Sequence, residues 1–140
     1  MLVRLLYASR AVDASVEAIE SILHQSREHN PCCGVTGVLC YGGGIFLQAL
    51  EGGRMAISDL YGRIQRDPRH KDLVLLHYEE IVERRFAGWT MGEVNISRIN
   101  ASILLKYAEK PVLDPYSVSG TVSLALLDEL MATASIIGRA

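Results

Sequence analysis

From Leu2 to Ala8 apolar side chains fall on both parities, with Val3, Leu5 and Tyr7 on one face and Leu2, Arg4 and Leu6 on the other, so the run predicts a strand. Between Ser15 and Asn30 the spacing changes. Val16, Ile19, Ile22 and Leu23 repeat at a helical period, Ser15 is placed to cap the helix, and Pro31 is expected to stop it. Thr36 to Tyr41 and Ile45 to Glu51 are β-rich runs joined by Gly42-Gly43-Gly44, a hairpin signal in which glycines supply positive φ. Alternation puts Phe46, Gln48 and Leu50 on one face and Ile45, Leu47 and Ala49 on the other. A second helix runs from about Arg54 to Arg66 on the stripe Ile57, Leu60, Tyr61, Ile64, and Asp67-Pro68 ends it. Leu73 to Ile81 predicts a fourth strand. Its apolar residues occupy both parities, which suggests a central position covered on both faces. Gly88 to Val94 predicts a fifth.

This order is β-α-β-β-α-β with one further strand, so the fold class is α+β: a ferredoxin-like βαββαββ arrangement with a five-stranded mixed sheet and both crossover helices on one face. The opposite face needs a cover. Ala101 to Ala108 and Thr121 to Ile137, the latter carrying Leu124, Leu127, Leu130, Met131 and Ala134, supply apolar helices for it after a turn-rich link from Lys110-Pro111 to Gly120. The expected division is residues 1–95 as one domain and residues 96–140 as a helical extension packed on the sheet. A chain of 140 residues with 49% hydrophobic content is one domain with ample core.

Fourteen basic and sixteen acidic residues are scattered along the chain for a net charge of -2, which offers no footprint for nucleic acid. No apolar run reaches the roughly 18 residues of a membrane span, and the first apolar stretch is too short for a secretory signal. A cytoplasmic protein is expected. Cys32, Cys33 and Cys40 are an odd count without framework spacing, so free thiols are the default.

The candidate chemistry centres on Gln48, a carboxamide set in the apolar run Ile45 to Leu50. A buried carboxamide must be met by partners, because an unpaired donor or acceptor costs free energy. A tyrosine hydroxyl and backbone groups could meet it, and so could a ligand. If the sheet order is ferredoxin-like, Tyr7 lies close by with its side chain toward the helices. Ile22, Ser26 and Asn30 fall on one helical stripe with His29 beside it, a polar edge that could read the rim of a flat aromatic ligand or merely satisfy the helix end. Arg63, Arg66, Arg69, His70 and Lys71 could meet phosphates or simply sit exposed at a helix C-terminus. Trp89 and Met91, two apart on the last strand, would share a face as a core pair. Histidines and cysteines lack metal-site spacing, and the glycine clusters lack a phosphate loop's lysine.

Taken together, Tyr7 at the end of the first strand, the segment Asn30-Pro31-Cys32-Cys33-Gly34-Val35-Thr36-Gly37 and the strand Phe46-Leu47-Gln48-Ala49-Leu50-Glu51-Gly52 resemble the BLUF domain, the flavin-binding blue-light sensor. Arg63, Trp89 and Met91 follow in family order, and the resemblance covers Met1 to about Asn95, extending loosely into Leu104 to Tyr107 and the final helix. It implies non-covalent FAD, with FMN or riboflavin as alternatives, held between the two helices. The residues it places at the flavin are Tyr7, Ile22, Ser26, His29, Asn30, Phe46, Gln48, Arg63, Ile64, Asp67 and His70. It further implies that after blue-light excitation an electron leaves Tyr7 and a proton follows through Gln48, whose hydrogen bonds then change. Signalling is expected through Trp89 and Met91 to the C-terminal helices. With no effector domain after residue 140, a separate effector protein or a second copy of the chain would read it, without nucleic acid, membrane or net catalysis. The rival readings are a flavin-free ferredoxin-like interaction module and a small hydrolase on the same fold. Cys32 and Cys33 lie outside the motif.

Overall fold

A computed structural model describes residues 1–133 and 136. Strand β1 (Leu2–Ala11) is followed by α1 (Val16–Cys33), β2 (Thr36–Gly42), β3 (Ile45–Gly53), α2 (Arg54–Arg66), β4 (His70–Ile81) and β5 (Gly92–Asn95). A short 3-10 turn at Ile96–Arg98 then leads to α3 (Ala101–Leu105) and α4 (Gly120–Ala132). The sheet order is β4-β1-β3-β2-β5, with β5 parallel to β2 and every other pairing antiparallel. The ferredoxin-like α+β expectation with a five-stranded mixed sheet therefore holds.

Local chemistry explains the main elements. Ser15 caps α1 by accepting from the Ala18 N–H at 3.2 Å. The β2–β3 hairpin turns on Gly43 and Gly44, both at positive φ (58° and 77°), as a two-residue loop with the twist of its strands requires. Strand alternation divides the core in two. Val3, Leu5, Tyr7, Leu39, Phe46 and Leu50 face α1 and α2, where Ile22, Leu23, Ile57 and Leu60 meet them. Leu6, Val38, Leu47, Ala49 and Val94 face the other way, under Leu104, Leu124, Leu127 and Leu130 of α3 and α4. The C-terminal helices thus cover the far face as expected.

Several boundaries and placements differ from the sequence reading, among them β1, which runs on to Ala11, and β4, which begins at His70. Helix α1 does not stop at Pro31. It runs on to Cys33, with Pro31 in its last turn, and closes at Gly34 (φ 68°), where Val35 N–H donates to Asn30 O at 3.0 Å. A proline near a helix end forfeits one hydrogen bond, and the left-handed glycine cap closes the turn beyond it. Strand β4 is an edge strand, not a central one. Its mixed parity comes from register shifts against β1 between Leu6 and Tyr7 and between Ala8 and Arg10. A bulge inserts one extra residue and shifts the alternation along the strand, so a single parity no longer marks a single face, and it blunts the edge. The fifth strand begins at Gly92 rather than Gly88, because residues 84–91 form turns. Helices α3 and α4 are shorter than expected, ending at Leu105 and Ala132, while Ala134 and Ile137 lie outside the described residues.

Candidate functional site

Between α1, α2 and the sheet lies a cavity of about 260 Å³, close to the lower bound of about 300 Å³ for small-molecule sites. Tyr7, Ile22, Ser26, His29, Asn30, Phe46, Gln48, Arg63, Ile64, Asp67 and His70 all line it, and so does Met91. The structure therefore gathers eleven residues from three strands, two helices and a connecting loop around one space. Trp89 is the exception. It packs against the far-face core, whereas Met91 is buried in the helix-side core, so the two do not share a face. Strand alternation does not apply to them, since both precede β5 in a turn where Trp89 N–H donates to Phe86 O and Gly37 N–H donates to Trp89 O.

Gln25, Leu39, Leu50 and Leu60, which the sequence reading did not place at the site, also line the cavity, and so does Arg69, which it named only as one of several basic residues that could meet phosphates or sit exposed. Most were within reach of simple spacing. Leu50 shares a parity with Gln48, Leu39 stands opposite Gln48 in the ladder, Gln25 precedes His29 by one turn, and Leu60 precedes Ile64 by one turn. Arg69 needed the fold. Its guanidinium grips both oxygens of Asp67, with Nε at 3.0 Å from Oδ1 and 2.9 Å from Oδ2, and its Nη2 donates to Gln25 Oε1 at 2.7 Å. The hydrogen bonds from Arg69 hold the Asp67 carboxyl below its ordinary range. Asp67 thus spends its charge positioning Arg69.

At the centre, Tyr7 and Gln48 are register partners on adjacent strands. The Tyr7 hydroxyl donates to Gln48 Oε1, and Gln48 Nε2 donates to Met91 Sδ at 3.3 Å. Both residues are buried, and burial pushes the Tyr7 phenol far above its ordinary value, so it stays protonated as a donor. Its ring leans against Tyr61 at 5.8 Å and meets the edge of His70 at 6.2 Å. His70 Nε2 lies 2.9 Å from Ile64 O and its Nδ1 2.9 Å from Ser9 Oγ. A carbonyl can only accept, so Nε2 carries the proton and the neutral Nδ1 accepts from Ser9. Burial lowers the His70 pKa and favours that neutral ring.

Helix α1 also grips the segment that carries Met91. Asn30 Nδ2 donates to Thr90 O at 3.1 Å, and Arg27 Nε donates to Met91 O at 3.2 Å. Arg27 Nη2 faces Glu93 Oε1 at 3.6 Å, and Glu93 in turn accepts from Tyr41 at 3.2 Å. The Asn30 amide is therefore engaged at one end while its side chain still lines the cavity.

Apolar walls from Ile22, Leu39, Phe46 and Ile64, with three carboxamides, a serine hydroxyl, two imidazoles and two guanidiniums lining the space, fit a flat heteroaromatic ligand that carries an anionic tail. Comparison with known proteins decides which one. Residues 2–92 match the family model described as BLUF: Sensors of blue-light using FAD. The chain belongs to the BLUF family. Solved relatives agree over nearly the whole fold: BlsA in its photo-activated state superposes with a TM-score of 0.84 at 30% identity, covering 94% of this chain and 95% of that one. The dark-state structure of BlrB, a BLUF protein, gives 0.79 at 36% identity, over 95% and 96%. A photoactivated adenylate cyclase subunit beta from Euglena longa is 39% identical over 74 residues, which is 52% of this chain and 9% of that protein. The chain thus spans about a tenth of that cyclase subunit. A BLUF domain is a flavin-using blue-light sensor, which sets aside the flavin-free reading. Among the described residues no helix is long and apolar enough to cross a membrane.

Proposed function

We propose that Gln48 is the switching element of this sensor and that Met91 carries its state out of the cavity. The observation that carries this reading is that the Gln48 carboxamide is bonded at both ends, Oε1 to Tyr7 and Nε2 to Met91 Sδ. Flavin, when bound, supplies blue-light absorption and an electron-accepting excited state. Tyr7 is the electron and proton donor of the site, its protonated hydroxyl already aimed at Gln48. Ile22, Ser26, His29, Asn30, Phe46, Ile64 and His70 would hold and orient the ring, and Arg63, with Asp67 positioning Arg69, would hold the tail.

A thioether sulfur can accept a hydrogen bond but cannot donate one. If Gln48 turns over, its oxygen replaces its nitrogen toward Met91 and the hydrogen bond at Sδ is lost, whereas a tautomerised but unrotated side chain would keep its nitrogen there and change its bond to Tyr7. Tyr7 must then change role as well. The two arrangements therefore differ in a contact outside the ligand, which is what a perturbation needs in order to shift an equilibrium. Met91 is followed by Gly92, where an added Cβ would meet Ile136 Cγ2 at 2.5 Å and the Trp89 ring at 2.9 Å. The route runs from the helix-side core through Met91 and Gly92 to Trp89, Ile136 and the far-face helices. Residues 1–95 act as the sensor and residues 96–140 as its output surface, read by a separate effector protein or a second copy of this chain. The chain itself catalyses no net reaction, and FAD is the native flavin of a cytoplasmic protein.

An absorption spectrum before and after blue light tests the reading. The wild-type chain reconstituted with FAD shows a reversible red shift of the visible band. Gln48→Leu and Tyr7→Phe retain flavin and lose the shift, since each keeps the volume and removes the hydrogen bond. A normal shift in either variant removes that residue from the mechanism. Met91→Ala keeps the shift but suppresses light-dependent amide exchange in β5 and the C-terminal helices.

A further inference from the structure

Cys32 and Cys33 end α1, both are exposed, and their sulfurs lie 3.4 Å apart. Nothing in the light-sensing network uses them. With bonds from sulfur to a soft ion of about 2.3 Å, a 3.4 Å separation spans an angle of about 95° at a shared bound atom. That angle is far from the linear geometry of two-coordinate ions and narrower than a tetrahedron. It suits a pyramidal centre. A second observation narrows the choice: among the described residues no third His, Cys, Asp or Glu joins the pair in a metal-binding group. The third substituent must therefore come from the ligand.

We propose that Cys32 and Cys33 form a dithiol site that chelates one soft pyramidal centre, a trivalent organoarsenical being the chemical class that meets both conditions. Two thiols add to an As=O group: two As–S bonds form, the As=O bond breaks, and the oxygen leaves as water with the two thiol protons. No electrons are transferred and no oxidant is needed. A direct disulfide between the two is the poorer solution, because adjacent Cα atoms sit about 3.8 Å apart, below the roughly 4.4 Å that disulfides require. Forming one would unwind the last turn of α1, whereas chelation leaves it in place.

The site also touches the sensor. Cys32 Sγ donates to His29 O at 3.0 Å, and the same turn is closed by Val35 N–H on Asn30 O. Chelation takes the Cys32 thiol proton and with it the bond to His29 O, but it ties the two last side chains of α1 together; His29 and Asn30 both line the cavity, so this cross-link stiffens the turn that presents them.

Phenylarsine oxide added to the 140-residue chain, flavin-free and flavin-loaded, is the test. Native mass spectrometry shows one arsenical per chain with loss of one water, retained in excess glutathione and released by dimercaptopropanol. Cys32→Ser and Cys33→Ser each weaken retention by about 10²-fold or more, the loss expected when chelation becomes single-point attachment. Cys40→Ala does not change it, since Cys40 is buried in the far-face core with its thiol pushed up to about 12. Retention by either serine variant, or two arsenicals per chain, overturns the chelate. In the same samples, amide exchange at Gly34 and Val35 slows on binding, and unchanged exchange overturns the link to the cavity wall. Because the flavin-free arm stands alone, failure here is distinguishable from failure of the light-sensing reading.

Discussion

Buried polar groups on the two faces of the sheet are handled in opposite ways. On the far face, Glu51 is fully buried and meets four protein donors. Arg4 Nη2 lies at 2.7 Å and Nε at 2.8 Å, while the backbone N–H groups of Arg85 and Phe86 donate at 3.0 and 2.6 Å. Arg4 in turn pairs with Glu79, which lies 2.6 Å from His77. The network runs from the buried Glu51 out to the partly exposed Glu79 and His77. On the near face, Tyr7, Gln48 and Asn30 are equally buried, yet they ring a cavity, and a weak thioether acceptor holds one end of Gln48. A saturated charge network locks the chain between β3 and the loop that leads to β5. A sparse one beside a cavity leaves partners to be exchanged. The first arrangement is architecture; the second is the one on which the proposed switch rests.

The sharpest way to break this contrast is at Glu51. Glu51→Ala leaves the Arg4 charge buried with Glu79 alone and strips the acceptor from two backbone donors, so it should cost about 3–5 kcal/mol in urea unfolding. Gln48→Leu should cost no more than about 1–3 kcal/mol in the same assay. Equal costs would mean that the two faces do not differ as described. Next in size is Arg63→Ala, expected to weaken FAD affinity by about 1.5–3 kcal/mol, one to two decades, while the photocycle persists. Equilibrium titration with FAD checks it, and an unchanged affinity would remove Arg63 from the tail site.

Gly92→Ala probes the junction of the two faces. A methyl there must displace Ile136 and the Trp89 ring, so a stability loss of about 1–3 kcal/mol is expected. The visible shift should survive while light-dependent exchange in α4 is lost. The smallest effect belongs to His70. Its folded pKa lies below the ordinary 6.5, so between the two values the unfolded chain binds more protons than the native one. Its contribution is therefore complete above pH 6.5 and is lost as pH falls toward the folded pKa. Thermal melts between pH 5 and 8 should show this decline in the wild type and a flatter profile in His70→Gln. Asp67 acts in a lower window, present above its ordinary 3.8 and lost as pH falls beneath it.

Periodicity alone carried much of the molecule. Strand alternation placed Tyr7, Phe46, Gln48 and Leu50 on one face, and helical spacing aligned Ile22, Ser26 and Asn30, because 2.0 and 3.6 residue repeats are local properties of the backbone. The motif around Asn30 and Gln48 was enough to point to a flavin-using light sensor. What failed was whatever depended on partners distant in sequence. The edge position of β4 is set by the sheet order and its bulges by its pairing with β1, and the turn that sends Trp89 and Met91 to opposite faces is held by Gly37 and Glu51. The grip of Arg69 on Asp67 and Gln25, and of Arg27 and Asn30 on the Met91 segment, likewise joins side chains up to 64 residues apart. Local sequence determines which face a side chain takes on a regular element, but only the folded chain decides which partner is waiting there, since that choice is made by packing and hydrogen-bond satisfaction across the whole core.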